Sequence, residues 1–317
     1  MYNLQTNISL KDYSNFKIGG NAKYFLDVTS LDELIEGLKY WHEISKDFKE
    51  DEKRIFILGG ATNVLFPDEG LSGLVIKNSI DLIDLKENVL TVGGGTLMSK
   101  LLDYCIDNSL SGLEWAGGLP GTVGGALRGN AGAYGGETKD NILEVESINT
   151  NTLEVKKRSK RECDFNYRTS VFKSKATNEI ITFIKFEVTN KEKEEIKNLI
   201  EDKINKRKLR HPLEYPNVGS IFKNVPIGKF SKEVLRELSQ YIKDDPFPVI
   251  PTAKLSFLSG VSGKKIGDAQ LSTKHTNFII NLGNAKSTDV KKLIQIVQKA
   301  VKERFGVDLE VEIMFID

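Results

Sequence analysis

Five short segments of this chain carry residue types that could do chemistry, and two of them are glycine-rich turns. Gly59-Gly60-Ala61-Thr62-Asn63 ends the apolar run Ile55-Phe56-Ile57-Leu58. Gly118-Leu119-Pro120-Gly121-Thr122-Val123-Gly124-Gly125 lies in a stretch, Gly112 to Gly136, where ten of 25 residues are glycine. Such turns expose consecutive backbone N–H groups and make concave sites for anions such as a pyrophosphate. Neither is a dinucleotide-binding fingerprint or a P-loop, because the spacing differs and no Lys-Ser/Thr follows. A single turn of this kind is more often only a turn. Two of them ask for more exposed backbone than ordinary turns need.

The other three segments are Tyr167-Arg168, Gly219-Ser220-Ile221-Phe222-Lys223-Asn224 and Glu312. They offer a guanidinium, a hydroxyl after a glycine, and a carboxylate between Val311 and Ile313. Each also has a plain structural reading: an exposed Arg beside a half-buried Tyr, a turn serine, and a solvent-facing strand residue. Residue chemistry alone does not choose between these readings.

The elements that must position these groups alternate between strands and helices. Ser30 with Glu33 is a capping box, after which Leu31, Leu34, Ile35 and Leu38 share a helix face. Ile55–Leu58 reads as a buried strand. Val89–Val92 is a second strand, ending in Gly93-Gly94-Gly95, and Thr96 is placed to cap a helix with Leu97, Leu101, Leu102 and Ile106 inward. The glycine-dense stretch is not a linker, since Trp115, Leu119, Val123 and Leu127 within it need burial; glycine there means close backbone approach or positive φ. Strands are expected again over 143–149 and 180–188, the latter with Ile184, Phe186 and Val188 alternating against Lys185 and Glu187. A charged helix over 191–207 has Ile196, Leu199, Ile200 and Ile204 on one face, and Pro212 and Pro216 then mark a boundary. Two further amphipathic helices follow, one on Val234, Leu235 and Leu238, the other on Val290, Leu293, Ile294, Val297 and Val301 up to Gly306. Strands are expected at 277–281 and 310–316. The pattern is α+β with more than one domain.

Composition excludes several classes. The 317 residues hold 45 Lys plus Arg against 44 Asp plus Glu, for a net charge of +1. Nothing in that balance asks for nucleic acid or a membrane surface. The basic run Lys156 to Arg161 has no interleaved aromatics and reads as a solvated strand end. Two cysteines, Cys105 and Cys163, make neither a disulfide framework nor a metal site, and Cys105 falls on an apolar helix face. His42, His211 and His275 lack metal-ligand spacing, so no metal is expected. No apolar stretch reaches spanning length, and the start of the chain lacks the charged-then-apolar pattern of a signal peptide. A cytoplasmic protein is expected.

Taken together and in order, the motifs resemble the UDP-N-acetylenolpyruvoylglucosamine reductase family. The resemblance runs through Asn15-Phe16-Lys17-Ile18-Gly19-Gly20-Asn21-Ala22, Leu58 to Leu65, Gly112-Leu113-Glu114, Gly118 to Ala126 and Asn130-Ala131-Gly132-Ala133-Tyr134-Gly135. It continues with Tyr167-Arg168, Gly219-Ser220, Gly267-Asp268-Ala269 and His275-Thr276-Asn277-Phe278. The Gly-x-Pro-Gly-Thr-Val-Gly-Gly stretch marks the flavin-binding superfamily, and the later motifs narrow it to this reductase. Leu255-Ser256-Phe257 and Gly260-Val261-Ser262-Gly263 depart from the family's Leu-Ile-Glu and Gly-Leu-Lys-Gly, which makes segment 252–265 the least secure for substrate contacts.

The resemblance implies a three-domain fold: a pair of FAD-binding subdomains of the vanillyl-alcohol-oxidase/PCMH type and a smaller α+β substrate domain. The first subdomain would be 1–77, joined by a terminal strand 307–317, the second 78–208, and the substrate domain 209–306. The family reduces the enolpyruvyl ether of UDP-N-acetylglucosamine to UDP-N-acetylmuramate, with NADPH feeding electrons through FAD. Gly59, Gly60, Ala61, Thr62 and Asn63, with Gly118, Pro120, Gly121, Thr122, Gly124 and Gly125, would hold the cofactor. No histidine lies near the first glycine turn, so FAD should be non-covalent. Arg168 and a protonated Glu312 would stabilise the enediolate that forms on hydride addition, and Ser220 would deliver the proton. Tyr167, Asn224, Arg210 and His275 would contact the UDP-sugar. The short connection from Arg168 to Ile180 implies the subtype without an inserted loop, with a more open site, and a monomer is expected. The alternatives are another flavin oxidoreductase of the superfamily, disfavoured by Ser220 and Glu312, and a nucleotide-binding protein without turnover, disfavoured by Arg168, Ser220 and Glu312 together.

Overall fold

A computed structural model describes residues 4–245 and 247–316. They group into two compact units. The first takes in the chain through Ile8, then Ala22–Gly60 and Leu71–Arg207; the second takes in Ser9–Asn21, Ala61–Gly70 and the chain from Lys208 onward.

The first unit carries two large sheets, beside two-stranded pairs. One has four strands in the order Gln5–Ser9, Asn21–Val28, Leu71–Asn78 and Ile55–Leu58. Leu71–Asn78 runs parallel to both of its neighbours Asn21–Val28 and Ile55–Leu58. Parallel neighbours need a crossover, supplied by helix Leu31–Ile44. Ser30 caps that helix by accepting from Glu33 N, but the Glu33 carboxylate reaches one residue further back, to the N–H and hydroxyl of Thr29. Leu34, Leu38 and Trp41 pack on Leu26, Leu74 and Ile76. Ile55–Leu58 is an edge strand, and only Leu58 of its four residues is fully buried. The expectation of a buried strand therefore fails for the first three. An apolar run signals a strand but not its place in the sheet.

The second sheet is antiparallel, in the order Val155–Ser159, Ile142–Asn149, Glu179–Glu187, Val89–Gly93, Ile83–Lys86. Leu90, Val92, Val145, Ile184 and Phe186 point into a core shared with helix Met98–Asp107. That helix starts later than Thr96 suggested. Its first flanking residue is Leu97, which is exposed, while buried Thr96 donates its hydroxyl to Asp81 and to Leu82 O. Nor is the basic run merely solvated: Arg158 makes a two-point pair with buried Glu179, at 2.6 and 2.8 Å, joined by Ser147. Cys105 and Cys163 are both free and buried, and burial pushes both thiols up to about 12. Such thiols are inert packing groups.

The second unit is built from shorter pieces. Three-stranded sheets join Val225–Pro226, Pro248–Ile250 and Lys243–Asp244, and Lys265–Ile266, Ala269–Leu271 and Ile279–Asn281. The strand expected at 277–281 is thus only its last three residues. Helix Ser287–Phe305 buries Val290, Leu293, Ile294, Val297 and Val301, and stops at Gly306, whose φ of 71° is the left-handed conformation. Asp68 accepts from Ser287 N at 2.7 Å and so caps the helix from far along the chain. The terminal strand is likewise short, Met314–Phe315, parallel to Val64–Leu65.

Candidate active site

The first unit holds Arg168 at the tip of a tight turn. Asn166 and Thr169 exchange backbone hydrogen bonds, N to O and O to N, which leaves Tyr167 and Arg168 as the two central residues. Arg168 has φ of 56°. A non-glycine residue in that region costs on the order of 1–3 kcal/mol and persists only where the surroundings impose it. Here Lys173 Nζ binds the Arg168 carbonyl at 3.1 Å, and Arg168 Nη2 donates to Gly132 O at 2.9 Å. The guanidinium also lies over the Tyr167 ring, 5.1 Å from its centroid. Backbone and side chain are therefore both fixed.

The glycine turns of this unit press against each other. A Cβ on Gly60 would sit 2.5 Å from Gly121 Cα, one on Gly59 2.6 Å from Thr122 Oγ1, and one on Gly124 2.7 Å from Gly94 O. Much of the glycine requirement is thus backbone against backbone. The N–H groups of Val123 and Gly124 are already spent on Thr96 O and Gly94 O, and Gly125 N reaches Thr122 Oγ1 at 3.3 Å. Among the described residues the N–H groups of Gly60, Gly121 and Thr122 donate to nothing. Gly118 and Pro120 are exposed beside them. Open N–H donors on closely packed, side-chain-free backbone fit a cofactor's pyrophosphate.

The second unit holds Ser220 and Glu312. Residues 220–222 have neighbours on two sides. On one, Ser220 bridges Phe278 and Ile221 N donates to Asn277 O at 2.8 Å. On the other, Glu312 N donates to Ile221 O at 2.8 Å, Phe222 bridges Val311, and Lys223 N donates to Glu310 O. Ser220 and Glu312 thus stand on adjacent backbones, 92 residues apart in sequence. Side-chain amides lock this arrangement. Asn277 accepts from Phe222 N at 3.0 Å and donates to Phe222 O at 2.8 Å. Asn217 Oδ1 accepts from Gly219 N at 3.0 Å, where Gly219 has φ of 81°. The Ser220 hydroxyl itself has no partner among the described residues and is half-buried, as is Glu312.

The remaining candidates differ in character. Asn224 Oδ1 accepts from Thr252 N at 3.2 Å, which orients its amide. Arg210 is exposed. His275 packs against His211 and Phe278 at 5.4 and 4.7 Å between ring centres. Burial lowers its pKa to about 4, so it is neutral at physiological pH and brings no positive charge to a phosphate. Ala61, Thr62 and Asn63 belong to the second unit; Ala61 is buried with φ of 47°, and Asn63 Nδ2 donates to Glu312 O at 3.3 Å.

Two residues went unmarked by sequence reasoning. Asn277, within a quoted motif, has no distinguishing signal beyond a polar residue leading an apolar strand. Arg207, in the first unit, donates Nε to Gly117 O at 2.9 Å and stacks on Tyr134. Burial and the charge of Arg168 lower its pKa. In sequence it is one cation among many on a charged helix.

Comparison with known proteins now decides the family. The sequence profile of the UDP-N-acetylenolpyruvoylglucosamine reductase C-terminal domain matches residues 211–316, and that of an FAD binding domain matches 29–155. The chain is 33% identical to the Clostridium novyi reductase of that name over 99% of this chain and 92% of the relative. It is 36% identical to the Caldicellulosiruptor saccharolyticus reductase, over 97% and 90%. It also superposes on the crystal structure of the Thermus caldophilus enzyme with a TM-score of 0.77 and 28% identity, each chain covered in full. The chain belongs to the UDP-N-acetylenolpyruvoylglucosamine reductase family. It is a flavin-dependent oxidoreductase of peptidoglycan precursor synthesis, α+β in fold, using FAD and NADPH to convert the enolpyruvyl ether of UDP-N-acetylglucosamine to UDP-N-acetylmuramate. Among the described residues no helix is long and apolar enough to cross a membrane.

Proposed function

We propose that in this reductase Ser220 is the proton donor, while Arg168 and Glu312 stabilise the charge that develops on the substrate. FAD, reduced by NADPH, supplies a hydride to the terminal carbon of the enol double bond. The electron pair of that bond moves onto the carbon bearing the ether oxygen and into the adjacent carboxylate. Arg168 binds that carboxylate as its charge grows, and Glu312 in its acid form hydrogen-bonds the enediolate. Ser220 then gives its hydroxyl proton to the carbon and recovers one from solvent. A serine hydroxyl is a weak acid, so placement must supply the rate. The reading is supported above all by the unspent Ser220 hydroxyl, held by backbone bonds on both flanks and adjacent to the Glu312 backbone.

Around this chemistry, Gly59 to Asn63 and Gly118 to Gly125 hold the FAD pyrophosphate without a covalent link. Tyr167, Asn224 and Arg210 contact the sugar nucleotide, with neutral His275 as a packing or hydrogen-bonding neighbour. The protein works as a cytoplasmic monomer with an open site of the subtype lacking the inserted loop, and its product feeds cell shape and division through the wall. Packing as three domains, 1–77 with 307–317, 78–208 and 209–306, remains part of this reading.

Ser220→Ala tests it. Rapid mixing should show normal flavin reduction by NADPH and reoxidation by the sugar nucleotide slowed by about 10²- to 10⁴-fold. Normal reoxidation removes Ser220 from the role. Arg168→Ala should lose turnover beyond its loss of affinity; a pure rise in KM would mean binding alone.

A further inference from the structure

The half-buried arginines of the first unit divide by whether the fold occupies them. Arg158, Arg168 and Arg207 each have an acceptor: Glu179, Gly132 O and Gly117 O. Arg128 is half-buried too, yet its guanidinium has no hydrogen bond, ion pair or ring contact among the described residues. Burial alone lowers its pKa, so no neighbouring acid offsets the desolvation. A guanidinium with all its N–H donors unspent is costly to withdraw from water, and the chain itself supplies nothing to fill them.

Arg128 ends helix Val123–Arg128, which runs out of the second glycine turn. Ser170 Oγ donates to its carbonyl at 2.8 Å and fixes the base of the side chain. Val123 and Leu127 go into the core. Gly125, Arg128 and Gly129 share another face, being three and four residues apart. That face is bare: a Cβ on Gly125 would meet only Thr122 Oγ1, at 3.3 Å, and one on Gly129 only Gly125 O, at 3.9 Å. A long side chain on a helix leans back over the turn before it. Here that turn is Thr122 to Gly125, directly after the open N–H groups of Gly121 and Thr122. Neither glycine turn contains a Lys or Arg to meet a diphosphate's charge. Arg207 borders the second turn at Gly118 but is drawn to Gly117 O and Tyr134.

We propose that Arg128 is a further cofactor-binding residue, its guanidinium taking a phosphate oxygen of FAD beside the N–H groups of Gly121 and Thr122. The proposal rests on the reading of the glycine turns as the diphosphate site. A guanidinium suits phosphate because its planar fork gives two parallel N–H bonds. The diphosphate is anionic whether the ring is oxidised or reduced, so Arg128 binds both forms alike and leaves the reduction potential unchanged. Set against the ring instead, the same cation would favour the reduced, anionic flavin and raise the potential.

The test uses the holoenzyme and reads two quantities: release of FAD, by the rise in flavin fluorescence, and the reduction potential. Arg128→Gln should release FAD about 10- to 100-fold faster, with an unchanged potential. Arg128→Lys, a charge without the fork, should fall between that variant and wild type. Added salt should speed release from wild type more than from Arg128→Gln. Wild-type release in Arg128→Gln, beside faster release in Gly60→Ala, overturns the proposal alone. A lowered potential in Arg128→Gln puts the cation on the ring and also overturns it. Equally fast release from Arg128→Lys and Arg128→Gln overturns it as a packing effect. Wild-type release in Gly60→Ala instead overturns the reading of the turns, and this proposal with it. Should Arg128→Gln purify without flavin, titrating FAD into it, against wild-type protein stripped of flavin, measures the same loss at equilibrium.

Discussion

The two units hold their reactive residues by different means. In the first, Arg168 sits at a hairpin tip in a left-handed backbone conformation, in a unit whose antiparallel ladders run over five to seven residue pairs. In the second, strands are two or three residues long, and the Ser220 segment is held by carboxamides, Asn277 on Phe222 and Asn217 on Gly219. A long ladder shares its load over many bonds, so no single side chain decides the geometry. A short strand pinned by one amide puts that geometry on one residue. Stability and activity should therefore come apart in the first unit and move together in the second.

The largest effect expected is on stability in the first unit. Glu179→Gln breaks the two-point pair with Arg158 and leaves a guanidinium with little solvent; breaking a buried pair costs about 3–5 kcal/mol. Chemical denaturation should show that loss, while turnover of the remaining folded enzyme stays within about twofold, because the pair lies in the sheet and touches no proposed site group. A proportional loss of turnover would erase the contrast. Next is Asn277→Leu, which leaves the buried N–H and C=O of Phe222 unpaired at about 2–4 kcal/mol. Here reoxidation of flavin by substrate should fall along with stability. A destabilised variant with full turnover would show that Ser220 does not depend on the amide.

Gly60→Ala comes third. The new methyl meets Gly121 Cα, a backbone atom that cannot swing aside, at about 1–3 kcal/mol. Equilibrium binding to the apoprotein should show FAD affinity reduced about tenfold, with the far-ultraviolet spectrum unchanged. The smallest effect concerns His275. Burial lowers its pKa to about 4, so between that value and its unfolded pKa the unfolded chain binds the extra proton. Stability is then full above the unfolded pKa, falls as pH drops, and levels off below about 4. At pH 5.5 the deficit is about 1 kcal/mol. His275→Gln should flatten that acid limb; an unchanged limb would mean the imidazole is more hydrated than its packing suggests.

How much of this was legible depends on how local each cause is. The face of helix Leu31–Ile44, the alternation along Glu179–Glu187 and the stop at Gly306 follow from spacing within one element, and spacing is visible in sequence. Thr96 looked like a helix cap because its type and place fit, yet its hydroxyl is taken by Asp81 and Leu82, in the loop before strand Ile83–Lys86. Arg158 looked solvated because its partner Glu179 is 21 residues away on another strand. The glycine turns were readable as special backbone. Which of their N–H groups stay open was not, because Thr96 O and Gly94 O consume two of them from elsewhere. Ser220 and Glu312 carried no local mark, and only their order within the motif series singled them out; their adjacency is made by backbone bonds across 92 residues.

The most direct test is an anaerobic titration of the purified holoprotein. The reductase assignment requires that NADPH bleach the yellow flavin and that one equivalent of the enolpyruvyl sugar nucleotide restore the colour, yielding UDP-N-acetylmuramate. A flavin that bleaches with NADPH and stays bleached with that substrate would contradict it.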